Sequence, residues 1–146
     1  MSVRLRASIA ADVPAMYDVW KTAVQATHDF LSDDDFREIS RLVENDFLPS
    51  RTFTVAVDAE DRPIGFLSID GDEIEALFVH ADQRRSGVGK ALLAAAFERL
   101  SAPVVEVNEQ NVQAVGFYEA FGFRTFKRAP DDGHGRPYPI LRMRRV

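Results

Sequence analysis

The chain has 146 residues, a length that fits one domain with a sizeable buried core. It has no cysteine, which excludes disulfides and cysteine nucleophiles, and its net charge of −5 disfavours general nucleic-acid binding, which usually needs a basic face. Its first residues lack the apolar core of a signal peptide, and no apolar run approaches the ~20 residues of a membrane span, so we expect a cytoplasmic protein without a membrane partner.

Two helices are predicted near the N-terminus, after an opening strand at residues 3–7 where apolar and polar residues alternate. Asp12 is a candidate N-cap for the first helix, which helical spacing extends to Thr27. Ser32 and Asp35 resemble a capping box at the start of the second helix.

Strands dominate the centre of the chain and alternate with helices after it. Strands are predicted at residues 53–57, 64–69, 73–79, 104–107, 123–127 and 138–146, and helices at 87–100 and 111–121. The first three of these strands have links too short for parallel pairing, so we expect an antiparallel meander. Strand 104–107 follows a helix, which favours a parallel crossover beside strand 73–79. The order β-α-α-β-β-β-α-β-α-β-β predicts an α/β fold around a mixed sheet.

The stretch QRRSGVGKALL, residues 83–93, has two glycines where a helix should begin. Glycine lets backbone amides approach a ligand closely, and a helix start presents free N–H groups and partial positive charge. Together these features indicate a phosphate site. A Walker loop would need a hydroxyl where Ala91 stands, and a dinucleotide fingerprint would need a third glycine where Leu92 stands, so both motifs are disfavoured.

A third interpretation rests on two motifs in the right order. Residues 84–89, RRSGVG, match R/Q-x-x-G-x-G/A and resemble the acetyl-CoA binding motif of the GNAT superfamily of N-acetyltransferases. Residues 111–123, NVQAVGFYEAFGF, resemble that family's N-x-x-A-x-x-F-Y-x-x-x-G-F segment. The stretches ATHDFL, VNEQN and GRPYPIL are similar to its bacterial YjaB-type branch.

The resemblance implies a fold and a cofactor site. A single domain, residues 1–146, would have a GNAT-like mixed, mostly antiparallel central sheet, helices on both faces and a splayed cofactor cleft. Strand 73–79 would separate from strand 104–107, so that the pantetheine arm pairs with main-chain groups of Leu77, Phe78 and Val79. A backbone N–H near Leu77 or Phe78 would polarise the thioester carbonyl. The pyrophosphate would be held by Arg84, Arg85, Ser86, Gly87, Val88, Gly89 and Lys90.

Asn111 and Tyr118 lie seven residues apart and should face the same side of their helix. By the resemblance, Asn111 would bind the pantetheine arm, and Tyr118 would bind near the sulfur and protonate the departing thiolate. The alternative for Tyr118 is an ordinary core aromatic.

Glu75 is the first candidate for the base that deprotonates the acceptor amine. We expect it to share a strand face with Glu73, Leu77 and Val79. Glu73, His28 (in the link between the first two helices, where the family's acceptor pocket is often walled) and an ordered water remain alternatives.

These residues predict an acetyl-CoA-dependent N-acetyltransferase in which an amine attacks the thioester directly in a ternary complex, because the sequence offers no acyl-enzyme nucleophile. Acetyl-CoA would be the co-substrate, and no metal is expected. The acceptor would be a small-molecule or peptide amine, and the protein a monomer or homodimer. The alternatives are an acyl-CoA-binding sensor with little or no turnover and a nucleotide hydrolase.

Overall fold

A computed structural model describes residues 3–146 as a seven-stranded sheet with helices on both faces. The strands are β1 (Arg4–Ala7), β2 (Thr54–Val57), β3 (Pro63–Asp70), β4 (Glu73–Val79), β5 (Val104–Asn108), β6 (Phe123–Ala129) and β7 (Ile140–Arg145). The helices are α1 (Val13–Thr27), α2 (Asp33–Leu42), α3 (Val88–Arg99) and α4 (Val112–Ala120), and a π-helical turn, Val43–Phe47, extends α2. The predicted order of strands and helices is confirmed. None of the helices within residues 3–146 combines the length and apolar character that crossing a bilayer requires.

The sheet has the order β1-β2-β3-β4-β5-β7-β6, and every neighbouring pair is antiparallel except β4 and β5. The predicted meander is therefore β2-β3-β4, and the predicted parallel pair is β4 with β5. That parallel pairing covers only two positions, Glu73 with Val104 and Ile74 with Val105. Beyond Ile74 the two strands separate, which leaves a gap in the middle of the sheet.

Two hydrophobic clusters fill the two faces of the sheet. On the α3/α4 face, Leu92 and Tyr118 pack with Ile74 and Val105. On the α1/α2 face, the cluster contains Val19, Trp20, Phe66 and Ala76. Burial of apolar side chains on both sides fixes the strand register, since a one-residue slip would turn each of them to the opposite face.

Helix α3 approaches the sheet most tightly at Gly65 of β3. A Cβ atom there would lie 2.8 Å from a Val88 methyl and 3.1 Å from both a Leu92 methyl and the Phe78 carbonyl oxygen. The glycine therefore lets the helix that begins at Val88 pack directly on β3. Nothing in the sequence pattern distinguished Gly65 from other strand residues.

The two predicted N-caps behave differently. The Ser32 hydroxyl accepts a hydrogen bond from the Asp35 N–H at 3.1 Å, as a capping box requires. The Asp35 carboxylate, however, accepts from the Tyr138 hydroxyl, whose oxygen in turn accepts from the Ser32 N–H at 3.3 Å. Tyr138 therefore completes the cap and ties the loop before β7 to α2.

Asp12 occupies the N-cap position of α1 but its side chain does not cap that helix, so the prediction was wrong about its bonding. Its carboxylate accepts from the Ile9 N–H at 2.8 Å and from two nitrogens of the Arg6 guanidinium at 2.8 and 3.0 Å. The carboxylate therefore joins β1 to the turn before α1.

Asp12→Asn is expected to lower the free energy of unfolding at pH 7 by about 1.5–3 kcal/mol, the range for hydrogen bonds to a charged group. Hydrogen bonding to Arg6 holds the pKa of Asp12 below its ordinary 3.8, although burial opposes this. A carboxyl with a lowered native pKa stabilises the fold fully above its unfolded-state pKa, and this stabilisation is lost as the pH falls through the native value. Urea unfolding between pH 7 and about pH 2 should show the difference from wild type shrinking with acidity.

The exposed Glu60→Gln is the matched control for this series and should change stability little at any pH. A destabilisation by Asp12→Asn that stayed constant down to the lowest pH would contradict the role given to the carboxylate charge.

Candidate active site

The gap between β4 and β5 opens into a cavity of about 180 Å³ that residues from both faces of the sheet line. From the α1/α2 face come Ala23 and Thr27 of α1 and His28, which follows it. From the α3/α4 face come Asn111, Ala114, Phe117 and Tyr118. Leu77, Phe78 and Val79 of β4 form the wall between them. The cavity therefore connects the two faces where the sheet is interrupted.

Strand β4 has an unpaired edge along this cavity. The His80 N–H donates to the Ile64 carbonyl at 2.9 Å. Because every second residue of an antiparallel strand bonds to the same neighbour, the N–H and C=O of Phe78, which lies opposite Phe66, also point toward β3. The N–H and C=O groups of Leu77 and Val79 then point toward β5, which no longer pairs with β4 at this level. The edge offers alternating donors and acceptors to an extended ligand.

A larger cleft of about 720 Å³ adjoins the cavity, and Val79, Arg84, Gly89, Gln113 and Phe117 line both. Residues 84–90, here called the 84–90 loop, form its basic wall with Arg84, Arg85 and Lys90. Arg84 also donates a hydrogen bond to the Gln113 side chain at 2.8 Å. The cleft thus joins an electropositive site to the cavity in the sheet.

The backbone of the 84–90 loop is shaped for an anion. Arg85 and Gly87 both have positive φ, 65° and 90°, and Gly87 is the N-cap of α3. The first helical hydrogen bond runs from the Ala91 N–H to the Gly87 carbonyl at 3.0 Å, so the N–H groups of the three preceding residues have no acceptor within the helix. The left-handed turns and the start of the helix together form a concave surface of backbone N–H groups that can donate to an anion.

Asn111 and Tyr118 both line the cavity, as their spacing predicted. Asn111 caps α4 by accepting from the Ala114 N–H at 3.1 Å. The Tyr118 ring is packed against Phe117 and Phe123, with centroids 5.2 Å away in each case, and only 6% of the residue is exposed. Burial raises the pKa of Tyr118 well above its ordinary value. Its hydroxyl makes no hydrogen bond to the residues that the structure describes, which leaves its proton available to a ligand.

The prediction that Glu75 shares a strand face with Leu77 and Val79 was wrong. Ser68 pairs with Ala76 and Ile69 with Ile74, so Glu75 is the extra residue of a β-bulge. The bulge reverses the alternation: Ile74 and Leu77 contact the α3/α4 cluster, whereas Glu75 bonds to Ser68 on the α1/α2 face. A prediction that assumes strict alternation of side chains along a strand cannot anticipate one inserted residue.

Both candidate glutamates have strong partners on the α1/α2 side. Glu75 accepts from Arg51 at 2.6 and 3.0 Å and from the Ser68 hydroxyl at 2.7 Å, and the Arg51 hydrogen bond holds the pKa of the Glu75 carboxyl below its usual range. Glu73 accepts from Arg142 at 2.6 Å. Neither glutamate lines the cavity. Arg51 and Ser68 were not identified from the sequence, because a single arginine in a loop and a single serine in a strand carry no motif.

His28 lines the cavity from the end of α1, and its ring lies tilted against the Phe30 ring with the centroids 5.1 Å apart. The Nδ1 atom lies 2.8 Å from the Thr27 hydroxyl, which itself donates to the Ala23 carbonyl at 2.8 Å. Burial lowers the pKa of His28, with Asp29 opposing that effect. The imidazole is therefore neutral near pH 7.

An interrupted sheet, a free strand edge and a basic helix start lie beside one cavity, which is the arrangement that the sequence motifs predicted for an acyltransferase. Residues 21–137 match the family model described as an acetyltransferase (GNAT) domain. The chain is 40% identical to the peptidyl-lysine N-acetyltransferase YjaB of Salmonella typhimurium over 98% of both chains. The chain belongs to the GNAT acetyltransferase family.

Solved structures agree with this assignment. The solution structure of apo YjaB from Escherichia coli superposes with a TM-score of 0.94 at 38% identity, over 100% of this chain and 99% of that one. The PaiA N-acetyltransferase of Thermoplasma acidophilum, in complex with coenzyme A, has the same fold, with a TM-score of 0.78 at 20% identity over 99% of both chains. The predicted similarity to the YjaB-type branch is confirmed.

Proposed function

We propose that the protein transfers the acetyl group of acetyl-CoA to lysine side chains of peptides or proteins, by direct attack of the amine in a ternary complex. The observation that carries the proposal is the free edge of Leu77 and Val79 between the basic 84–90 loop and a cavity open to both faces of the sheet. The lysine acceptor is supported by the YjaB relative, a peptidyl-lysine N-acetyltransferase that matches this chain over nearly its whole length. The coenzyme A bound by a protein of the same fold supports the co-substrate.

The diphosphate of coenzyme A would bind at the start of α3. The N–H groups of Val88, Gly89 and Lys90 lack helical acceptors and meet the positive end of the helix dipole. The side chains of Arg84, Arg85 and Lys90 add positive charge around the cleft. Arg85 and Gly87 contribute backbone curvature, and Ser86 holds the loop by donating its hydroxyl to the Gln83 carbonyl.

The pantetheine arm would then follow the edge of β4 toward the cavity. Leu77 and Val79 offer N–H and C=O groups to its amides, as an added strand would use them. Of the two donors considered for the thioester carbonyl, the Leu77 N–H is favoured, because the Phe78 N–H is directed toward β3. Asn111 would bind the arm with its side-chain amide from the opposite wall of the cavity.

Tyr118 would stabilise the departing thiolate. A free thiol has a pKa of about 8.5 and a phenol about 10, so full proton transfer from the phenol to the thiolate is unfavourable. Burial makes it more so, because it raises the pKa of the Tyr118 phenol further. We therefore infer that Tyr118 acts mainly by donating a short hydrogen bond to the sulfur as the C–S bond breaks. The proton that the thiol finally keeps would come from the attacking amine.

The acceptor amine must lose a proton before it can attack, since a lysine side chain has a pKa of about 10.4. Glu75 stays the sequence prediction for the base, on the α1/α2 face where the acceptor would enter. Its ion pair with Arg51 makes it a weaker proton acceptor than a free carboxylate, because the pKa of the Glu75 carboxyl is lowered. To act as the base, Glu75 would have to reach the amine through water or after Arg51 moves, because the carboxylate does not line the cavity.

An acceptor panel tests the proposed function. Purified protein with acetyl-CoA would receive a lysine-containing peptide, the same peptide with arginine in place of lysine, and small primary amines, with release of free coenzyme A followed over time. We expect acetylation of the lysine peptide, verified by a mass increase on the lysine, and none of the arginine peptide. Reaction of small amines alone would contradict the peptide acceptor. Binding of acetyl-CoA without any transfer would instead favour the sensor.

A further inference from the structure

His28 and Tyr118 reach the same cavity from opposite faces of the sheet. Tyr118 belongs to α4, whereas His28 is held at the end of α1 by the hydrogen bond from its own N–H to the Val24 carbonyl at 2.7 Å. A thioester lying in the gap between them would have the phenol on one side and the imidazole on the other. In direct amine attack the nucleophile and the leaving group also occupy different sides of the carbonyl carbon. Tyr118 is therefore placed to act on the leaving sulfur, and His28 is placed to act on the attacking amine.

The hydrogen bonds around Thr27 favour one tautomer of His28. The Thr27 hydroxyl has one proton, and its oxygen lies 2.8 Å from both the Ala23 carbonyl oxygen, which can only accept, and Nδ1 of His28. One arrangement makes both contacts hydrogen bonds: the hydroxyl donates to Ala23 and accepts from Nδ1–H of His28. The neutral ring therefore carries its proton on Nδ1 and its lone pair on Nε2. Nε2 makes no hydrogen bond to the residues of the described part of the chain.

Building on the proposed function, we propose that Nε2 of His28 is the base that takes the proton from the acceptor ammonium. The ammonium gives one proton to Nε2 and becomes a neutral amine, while His28 becomes an imidazolium. The amine nitrogen then forms the C–N bond, the C–S electron pair leaves on sulfur, and a second nitrogen proton passes to the thiolate. His28 returns its proton to solvent, so the reaction yields the amide, free coenzyme A and one proton.

His28 fits this role better than Glu75 because its lone pair is free. Glu75 already accepts three hydrogen bonds and forms an ion pair, and it does not line the cavity. The charged and titratable groups around His28 are Asp29, the next residue, and Arg84 and Tyr118 across the cavity. The lowered pKa of His28 keeps it unprotonated at neutral pH, which is what a base requires.

The test compares His28→Gln with wild type in kcat/KM for a lysine peptide, from about pH 6 to pH 9. With an internal base, wild-type activity should reach a plateau above the pKa of His28. Without it, the variant depends on free neutral amine and should rise about tenfold per pH unit toward the lysine pKa of about 10.4. We expect a loss of about 10²-fold at pH 7 that shrinks steadily with rising pH. If the role of His28 were purely structural, the variant would fall below wild type by the same factor at every pH.

The controls separate this proposal from the proposed function. His134→Gln makes the same change at an exposed loop histidine and should keep the wild-type profile. Calorimetry with coenzyme A should give similar affinities for His28→Gln and wild type. If His28→Gln misfolds, His28→Asn replaces it in the same measurements. If His28→Gln keeps the plateau and Glu75→Gln loses it, Glu75 is the base and the His28 proposal is overturned while lysine acetylation stands. If wild type acetylates no amine, both proposals fail together.

Discussion

Tyr118→Phe is expected to lower kcat for acetyl transfer about 10²-fold while the affinity for coenzyme A changes less than about threefold. The phenol would act only when negative charge develops on sulfur, so its loss should appear in kcat and not in binding. The ring itself stays, and with it the packing on Phe117 and Phe123. Steady-state kinetics at saturating peptide and calorimetry with coenzyme A measure the two quantities.

The variant should also be at least as stable as wild type. The Tyr118 hydroxyl bonds to none of the described residues, so its removal leaves no protein group without a partner. Tyr17→Phe removes the same group outside the cavity and should leave kcat unchanged. If Tyr118→Phe kept full activity, the tyrosine would be an ordinary core aromatic, the alternative that the sequence left open.

Gly89→Leu is expected to weaken coenzyme A binding by about 10²-fold or more, which corresponds to about 3 kcal/mol. A Cβ at Gly89 would meet the Phe117 ring at 3.4 Å and a Val79 methyl at 3.6 Å, and these residues line both the cleft and the cavity. The remaining leucine atoms would extend into the space proposed for the cofactor. Gly89 has no positive φ, so the backbone accepts a side chain without strain.

Because leucine is a better helix former than glycine, the variant should unfold no more easily than wild type. Gly116→Leu is the matched control: Gly116 is also a helical glycine, but a Cβ there meets no atom within 4 Å. It should bind coenzyme A like wild type. Equal affinities of Gly89→Leu and Gly116→Leu for coenzyme A would mean that the cofactor binds elsewhere.

The local elements were predictable from the sequence because their signals are local. Glycine before α3, the asparagine cap of α4 and the glycine after it each act within a few residues, and the structure places Gly87, Asn111 and Gly122 as those signals indicated. The links between β2, β3 and β4 are too short for parallel pairing, so only antiparallel pairing was possible. The family motifs then brought the separate segments together into one cleft.

What could not be predicted depends on contacts between distant segments. The bulge at Glu75 inserts one residue without a sequence signal and turns that side chain to the other face. Its partner Arg51 lies 24 residues away in a loop, and Tyr138 completes a cap 106 residues away. Pairings of this kind depend on tertiary packing, so a single sequence does not determine them.

Backbone amide NMR during a titration with acetyl-CoA tests the central claim most directly. The N–H groups of Gly87, Gly89 and Lys90 at the start of α3 should show the largest shift changes, together with Leu77 and Val79 on the edge of β4. Residues of β1, far along the sheet, should change little. If the glycine signals stayed in place while the protein was saturated with acetyl-CoA, or if no saturation occurred, the start of α3 would not be the diphosphate site.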